Sequence, residues 1–216
     1  MNKMTFGALS AVAQVERPTQ RALAKQRTRE KILASARTLF TERGYDGATV
    51  RDIASAAGMS TGAVFASFTD KSDLFIEIVG DQHDALVRAM RAAAACKKPR
   101  AAVEAVLDAA VDAHMSDLPL FQATMSALWS KDMGPLVRSR LRRTPARDIL
   151  AAVVKAAIAC GDLASVSDPD LLAQMIWDGY ISALRRAALE GLGTEAVRRL
   201  VRDQARVILA GATELT

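Results

Sequence analysis

Apolar residues recur along this chain with the period of helices and nowhere with the alternation of strands. Ile32, Leu33, Ala36, Leu39 and Phe40 fall at i, i+1, i+4, i+7 and i+8, which is one apolar helical face. Arg43 sits in the last turn of that helix, Gly44 follows as its stop, and Asp46-Gly47 reads as a turn. Thr49-Val50-Arg51-Asp52 has the spacing of a capping box and starts a short second helix, which Gly58 ends after Ala57. Ser60 caps a third helix, predicted over 61–67, and Ile53, Ala54, Val64 and Phe68 are spaced to pack both short helices on the first. Asp70-Lys71-Ser72-Asp73 caps a fourth helix that runs on through Leu74, Phe75, Ile78, Val79, Leu86, Val87 and Met90.

The period stays helical beyond this point. Pro99-Arg100 open a helix with Val103, Val106, Leu107, Ala110 and Val111 inward. Pro119 interrupts the pattern, and a short helix carries Phe121, Met125, Leu128 and Trp129. Gly134-Pro135 breaks it again, and the segment that runs to Gly161 is kinked or split at Thr144-Pro145. Asp168-Pro169 supply a cap and a first helical residue for a helix with Leu171, Leu172, Met175, Ile176, Tyr180 and Leu184, ending near Gly191 or Gly193. Thr194 caps a last helix with Val197, Leu200, Val201, Ala205, Ile208 and Leu209. The fold class is therefore all-α. The expected division is a basic, flexible extension over 1–26, outside the helical pattern, a helix-turn-helix domain over 27–75 and a helical domain over 76–216.

A helix, a capped short helix, a glycine turn and a second short helix form the layout that presents a recognition helix to the DNA major groove. The matching string is Gly44-Tyr45, Thr49-Val50-Arg51-Asp52-Ile53-Ala54, Ala57-Gly58-Met59-Ser60, Gly62, Phe65, Phe68, Lys71 and Leu74-Phe75. In order and spacing it resembles the DNA-binding domain of the TetR/AcrR family of bacterial transcriptional regulators. The resemblance is detailed over residues 28–75 and elsewhere rests on length and helical layout.

The resemblance implies double-stranded DNA as partner. Thr49 and Arg51 would touch phosphates from the second helix. Thr61, Ala63 and Ser67 would face the groove, with Ser60, Gly62 and Phe65 on the same surface. Lys71 would meet backbone phosphate, and Arg27 belongs to the basic approach. Where this chain has Thr61, Phe65 and Ser67, the family often has Lys, Tyr, and His or Tyr. Losing an ammonium and a phenol leaves a small, largely apolar surface that contacts thymine methyls and reads shape, without a bidentate Arg or Asn for a base edge. Phosphate contacts should then dominate affinity, with steep salt dependence.

The C-terminal layout is similar to the family's ligand-binding and dimerisation domain. By that likeness the helices of 168–190 and 194–210 pair with a second copy, through Ile181, Leu184, Ala187, Val197, Leu200, Val201, Ala205 and Ile208. Gly179, Ala183 and Ala187 permit close approach, although wide stripes of this kind also suit the protomer's own core. A pocket would be walled by His114, Met115, Phe121, Met125, Trp129, Met133, Met175, Trp177 and Tyr180, and soft methionines and flat aromatics suit a hydrophobic or aromatic effector. Core packing is the competing reading for each of these residues, and the run Arg138, Arg140, Arg142, Arg143 reads as a solvated face or an attraction for an anion. The implied function is a homodimeric repressor released from a palindromic operator by a small effector, with the hinge near Asp70–Leu74.

Charge agrees with a polyanion partner. The 216 residues carry net charge +5, and residues 1–75 hold eleven Lys/Arg against seven Asp/Glu. Arg17, Arg21, Lys25, Arg27 and Arg29 form a basic approach that would follow the DNA backbone or stand as a solvated tail. Residues 4–13 resemble a signal-peptide core only faintly, and no apolar stretch is long enough for a membrane, so the expected location is cytoplasmic. No Gly-rich phosphate loop, nucleophile elbow or metal cluster is present; His114 has only Asp117 at close spacing and His83 has no carboxylate or cysteine three or four residues away. The reading is therefore a protein without catalytic residues, metal or cofactor. Two alternatives remain: a thiol-responsive regulator using Cys96, which precedes Lys97-Lys98, with Cys160 as a small core residue, and a regulator that has lost specific DNA binding.

Overall fold

Caps and stops set most of the helix ends. The structure, a computed structural model, describes residues 19–95, 98–135, 145–163 and 168–211. Helix α1 spans Gln20–Gly47, and the Thr19 hydroxyl accepts from the Ala22 amide at 3.2 Å. Residues 20–26 are thus helical, contrary to the expected extension over 1–26. Their exposed side chains give no apolar stripe to read, but Thr19 caps them and Ala22, Leu23 and Ala24 favour helix. At Gly44 the backbone turns to φ 72°, which ends the long helix where the sequence placed its stop; Tyr45–Gly47 form a last turn beyond the kink.

Helix α2 (Val50–Ala56) starts on the reciprocal Thr49–Asp52 capping box. It ends in a Schellman motif, with Gly58 at φ 65°, its amide donating to the Ser55 carbonyl and the Met59 amide to the Ala54 carbonyl. Helix α3 (Thr61–Phe65), capped by Ser60, is two residues shorter than predicted, because Ala66 and Ser67 form a turn. Helix α4 (Lys71–Ala95) begins with the Asp70 carboxylate accepting from the Asp73 amide at 2.8 Å.

Five further helices follow among the described residues: α5 (Pro99–Met115), α6 (Leu118–Ala127), α7 (Pro145–Ala159), α8 (Pro169–Glu190) and α9 (Thr194–Gly211). Pro99, Pro119 and Pro169 lie at the first or second position of their helices, where a missing amide proton is harmless. Asp168 caps α8 through the Asp170 and Leu171 amides. Thr194 does not cap α9 as expected: it is the first helical residue, and the Gly193 carbonyl accepts from Val197.

Two apolar cores result. The N-terminal core joins α1, α2, α3 and the first half of α4, with Ile32, Phe40, Tyr45, Ile53, Val64, Leu74 and Phe75 buried together. Phe40, Tyr45 and Phe75 stack and meet edge to face, with ring centroids 5.0 to 5.9 Å apart. The Tyr45 hydroxyl bonds Ser72 Oγ at 2.8 Å, so its burial leaves no orphaned donor. The C-terminal core joins the second half of α4 to α5, α7, α8 and α9. Leu120, Ala123, Ala127 and Met133, from α6 and the segment after it, enter the N-terminal core, while Phe121 enters the other.

Candidate nucleic-acid interface and inner cavity

The outer face of α2 and α3 is small and polar at its edges. Arg51, Ser60, Thr61 and Gly62 are exposed, Ala63 and Ser67 are half-buried, and Phe65 stands 56% exposed. The Thr49 hydroxyl donates to Asp52 Oδ2 at 2.6 Å and accepts from its amide, so a phosphate would have to compete for it. This bonding holds the Asp52 carboxyl below the usual carboxylate range. Ser60 Oγ only accepts, from the Ala63 amide at 3.2 Å, which leaves its proton free to donate. A Cβ on Gly62 would meet nothing nearer than Ser60 Oγ at 3.7 Å, so the bare backbone there is not demanded by the protein's own packing.

Two basic residues instead brace this surface. Arg29 bonds Glu77 and the Ser67 carbonyl and lies 4.1 Å above the Phe68 ring, which ties α1, the end of α3 and α4 together. Lys71 donates to the Tyr45 carbonyl at 3.1 Å with its ammonium 4.2 Å from that ring. Lys31 was not singled out by sequence. It follows exposed Arg27 by one turn, and its ammonium lies 3.9 Å from where a Cβ on Gly58 would sit, beside the turn between α2 and α3. The i, i+4 spacing was the available signal.

A second feature lies between α4, α5, α6, α7 and α8: a cavity of about 290 Å³. Of the nine expected pocket residues it is lined by His114, Phe121, Met125 and Trp177. Tyr180 is buried behind it, bonded to His114 Nδ1, and donates to the Ala110 carbonyl at 2.9 Å. Met115 packs part-buried on the C-terminal core. The other three lie elsewhere. α6 ends at Ala127, so Trp129 leaves the helical register and stands 88% exposed; Met133 returns under the N-terminal core; Met175 points outward. Missed by sequence were Gln82, His83, Thr124, Arg147, Gln174 and Asp178, drawn from four helices with no common spacing. Burial pushes the His114 imidazole down to about 4, lowers His83 and raises the Tyr180 phenol.

The expected pairing residues also move. Leu184, Ala187, Val197, Val201 and Ala205 are interior to the protomer, because α8 and α9 turn their wide stripes onto α5, α7 and each other. Leu200 and Ile208 pack part-buried on the same core, and Ile181 lines the cavity. The outward apolar residues are Leu171, Met175, Leu189 and Val207, the last two 82% and 72% exposed. Cys160, expected in the core, is exposed. Arg17, residues 4–13, Cys96 with Lys97, Thr144, and Arg138, Arg140, Arg142 and Arg143 lie outside the described residues. Among the described residues no group of His, Cys, Asp and Glu could hold a metal ion, and no helix is long and apolar enough to cross a membrane.

A capped helix-turn-helix on an all-helical body defines a DNA-binding regulator, and comparison with known proteins places it in a family. Residues 32–78 match the family described as bacterial regulatory proteins, tetR family. The repressor KstR2 of Rhodococcus jostii is 30% identical over 172 residues, 78% of this chain and 83% of that protein. The repressor AcnR of Corynebacterium glutamicum is 43% identical over 68 residues, and the match spans only 32% of either chain. A TetR transcription regulator from Haloarcula marismortui shares the fold with TM-score 0.71 and 22% identity, over 87% of this chain and 98% of that one. The chain belongs to the TetR family of transcriptional regulators, a class that acts by binding DNA rather than by catalysis.

Proposed function

We propose that this regulator is a homodimeric repressor that occupies a palindromic operator and leaves it when a small, largely apolar molecule fills the inner cavity. The two faces of α6 carry this reading. Leu120, Ala123 and Ala127 sit in the N-terminal core, while Phe121, Thr124 and Met125 line the cavity. A ligand that displaces α6 therefore displaces the floor of the DNA-binding end, provided it binds the displaced arrangement better. Arg37 to Asp117 and Ser130 to Asp46 link the two regions further.

Helix α4 gives a second route. Its buried residues change from one core to the other between Val79 and Leu86. Gly80 lies in that interval, where a glycine weakens a helix. The flexing point belongs there rather than at Asp70–Leu74, whose Lys71 and Ser72 are bonded to Tyr45.

In this reading the DNA-binding domain spans 27–75 with helical residues 20–26 leading into it, and 76–216 form the effector and dimer domain. Thr61, Gly62, Ala63 and Phe65 approach the groove, and the free Ser60 proton, Arg27, Lys31 and Arg51 meet phosphates. Lys71 and Ser67 brace this surface from behind. Two copies meet through the outward residues Leu171, Met175 and Leu189 on α8 and Val207 on α9, which sets two recognition helices roughly 34–36 Å, or a multiple, apart. A DNA-bound regulator of this kind works in the cytoplasm.

Met125→Trp tests the coupling, since it pushes a large ring into the cavity far from any DNA-facing residue. Operator affinity should fall at least about tenfold with helicity retained, as for a ligand that favours the released state. Unchanged operator affinity in a folded Met125→Trp protein would contradict the proposed route.

A further inference from the structure

The chain has two histidines, and both line the inner cavity, His83 from α4 and His114 from α5. Tyr180 Oη gives its single proton to the Ala110 carbonyl at 2.9 Å. The bond between Tyr180 Oη and His114 Nδ1 is then made with the proton on Nδ1. A neutral imidazole protonated at Nδ1 keeps its lone pair on Nε2. Burial keeps His114 neutral against the pull of the Ala110 carbonyl, and nearby His83 works in the same direction as burial. His83 Nε2 is itself buried without a hydrogen-bond partner, which a ligand oxygen would relieve after a small ring rotation.

The other polar groups around the cavity are partly engaged. Thr124 Oγ1 donates to the Leu120 carbonyl at 2.8 Å, and Gln82 Nε2 to the Asp117 carbonyl at 3.3 Å. Gln174 bridges Arg147 at 2.9 Å and Asp178 at 3.1 Å, so the two charges at this wall are opposite and joined. A carboxylate entering here would exchange water for two neutral imidazoles and a wall where Asp178 offsets Arg147. A plain hydrocarbon would bury the His114 lone pair unpaired. A hydroxyl avoids both costs, and Trp177, Phe121 and Met125 offer flat and soft walls to an apolar body.

We infer that the cavity selects a small uncharged ligand that carries a hydroxyl group on a compact ring system, with His114 Nε2 accepting the hydroxyl proton and His83 turning to the oxygen. This rests on the reading of the cavity as the effector site and narrows it to a chemical class. Tyr180 is the positioning residue that sets the His114 tautomer.

The test is a calorimetric titration of the full chain with para-cyclohexylphenol, cyclohexylbenzene and para-cyclohexylbenzoate, paired with nitrogen NMR of histidine-labelled protein. With two histidines the label reports on this cavity alone. The phenol should bind about tenfold more tightly than the hydrocarbon and more tightly than the benzoate. His114→Phe should bring phenol and hydrocarbon to equal affinity. Spectra of the unliganded wild-type protein should show the proton on His114 Nδ1, and the phenol should shift its Nε2. A benzoate that binds best, a phenol no better than the hydrocarbon, or a His114 proton on Nε2 overturns the inference, the last without any substitution. If the hydrocarbon binds and releases operator DNA as well as the phenol does, the hydroxyl inference fails and the effector cavity stands. If none of the three moves either histidine, both fail.

Discussion

The two cores of this protein are built for opposite tasks. The N-terminal core closes on three mutually contacting aromatic rings, and Arg29 and Lys71 stack on its outer rings. The C-terminal core borders a half-open cavity of about 290 Å³ and keeps two imidazoles beside it. Dense packing holds the recognition helix at one angle, whereas a void lets helices be displaced at low cost. Because α6 and α4 belong to both cores, the soft region can act on the rigid one.

The largest expected effect separates the two directly. Phe40→Ala should cost about 3–5 kcal/mol, because it empties a filled site, and Phe121→Ala less, because its ring already borders a void. Urea denaturation of both variants gives the ranking, and equal losses would erase the contrast between the cores.

Acid should act next, through the cavity. His114 is depressed to about 4 from the ordinary 6.5, so the unfolded chain takes up a proton before the folded one. Stability from this residue is complete above about pH 6.5 and is lost as pH falls toward 4, by up to about 1.4 kcal/mol per pH unit. His83, also lowered by burial, adds in the same sense. Melting temperatures measured across this window should fall less steeply in His114→Phe than in the unaltered protein; parallel curves would mean that His114 is not held neutral. Tyr180→Phe should cost about 1–3 kcal/mol, because it leaves the Ala110 carbonyl and His114 Nδ1 short of a partner. A loss below the error of a denaturant titration would argue against the buried network.

How much could be read in advance follows from the range of the interactions. The capping box at Thr49 and Asp52, the Gly58 turn and the Asp168 cap involve residues two to five apart, so a linear pattern contains them. The wide stripes of α8 and α9 were legible, but a stripe does not say which partner it faces. Leu184, Val197 and Val201 meet their own protomer. The cavity was half legible for the same reason. Aromatic and methionine spacing finds Phe121, Met125 and Trp177, whereas His83, Arg147 and Gln174 converge only in three dimensions. Trp129 misled because an apolar ring looks buried until the helix that carries it stops at Ala127.

The smallest effect sharpens the link between the cores. Gly80→Ala should stabilise the protein by about 0.5–1 kcal/mol through helix propensity, since a methyl group there meets nothing within 4 Å. It should also make operator release by a cavity ligand less complete. Stabilisation with an unchanged ligand response would move the flexing point away from Gly80.

The measurement closest to the central claim is an anisotropy titration of the protein on duplex DNA from directly upstream of its own gene, at two salt concentrations. The account predicts saturable binding that weakens steeply with salt, and a salt slope lower by about one phosphate contact in Arg51→Ala. Binding indistinguishable from that to a random duplex, and unaffected by Arg51→Ala, would contradict an operator-binding role for the α2–α3 face.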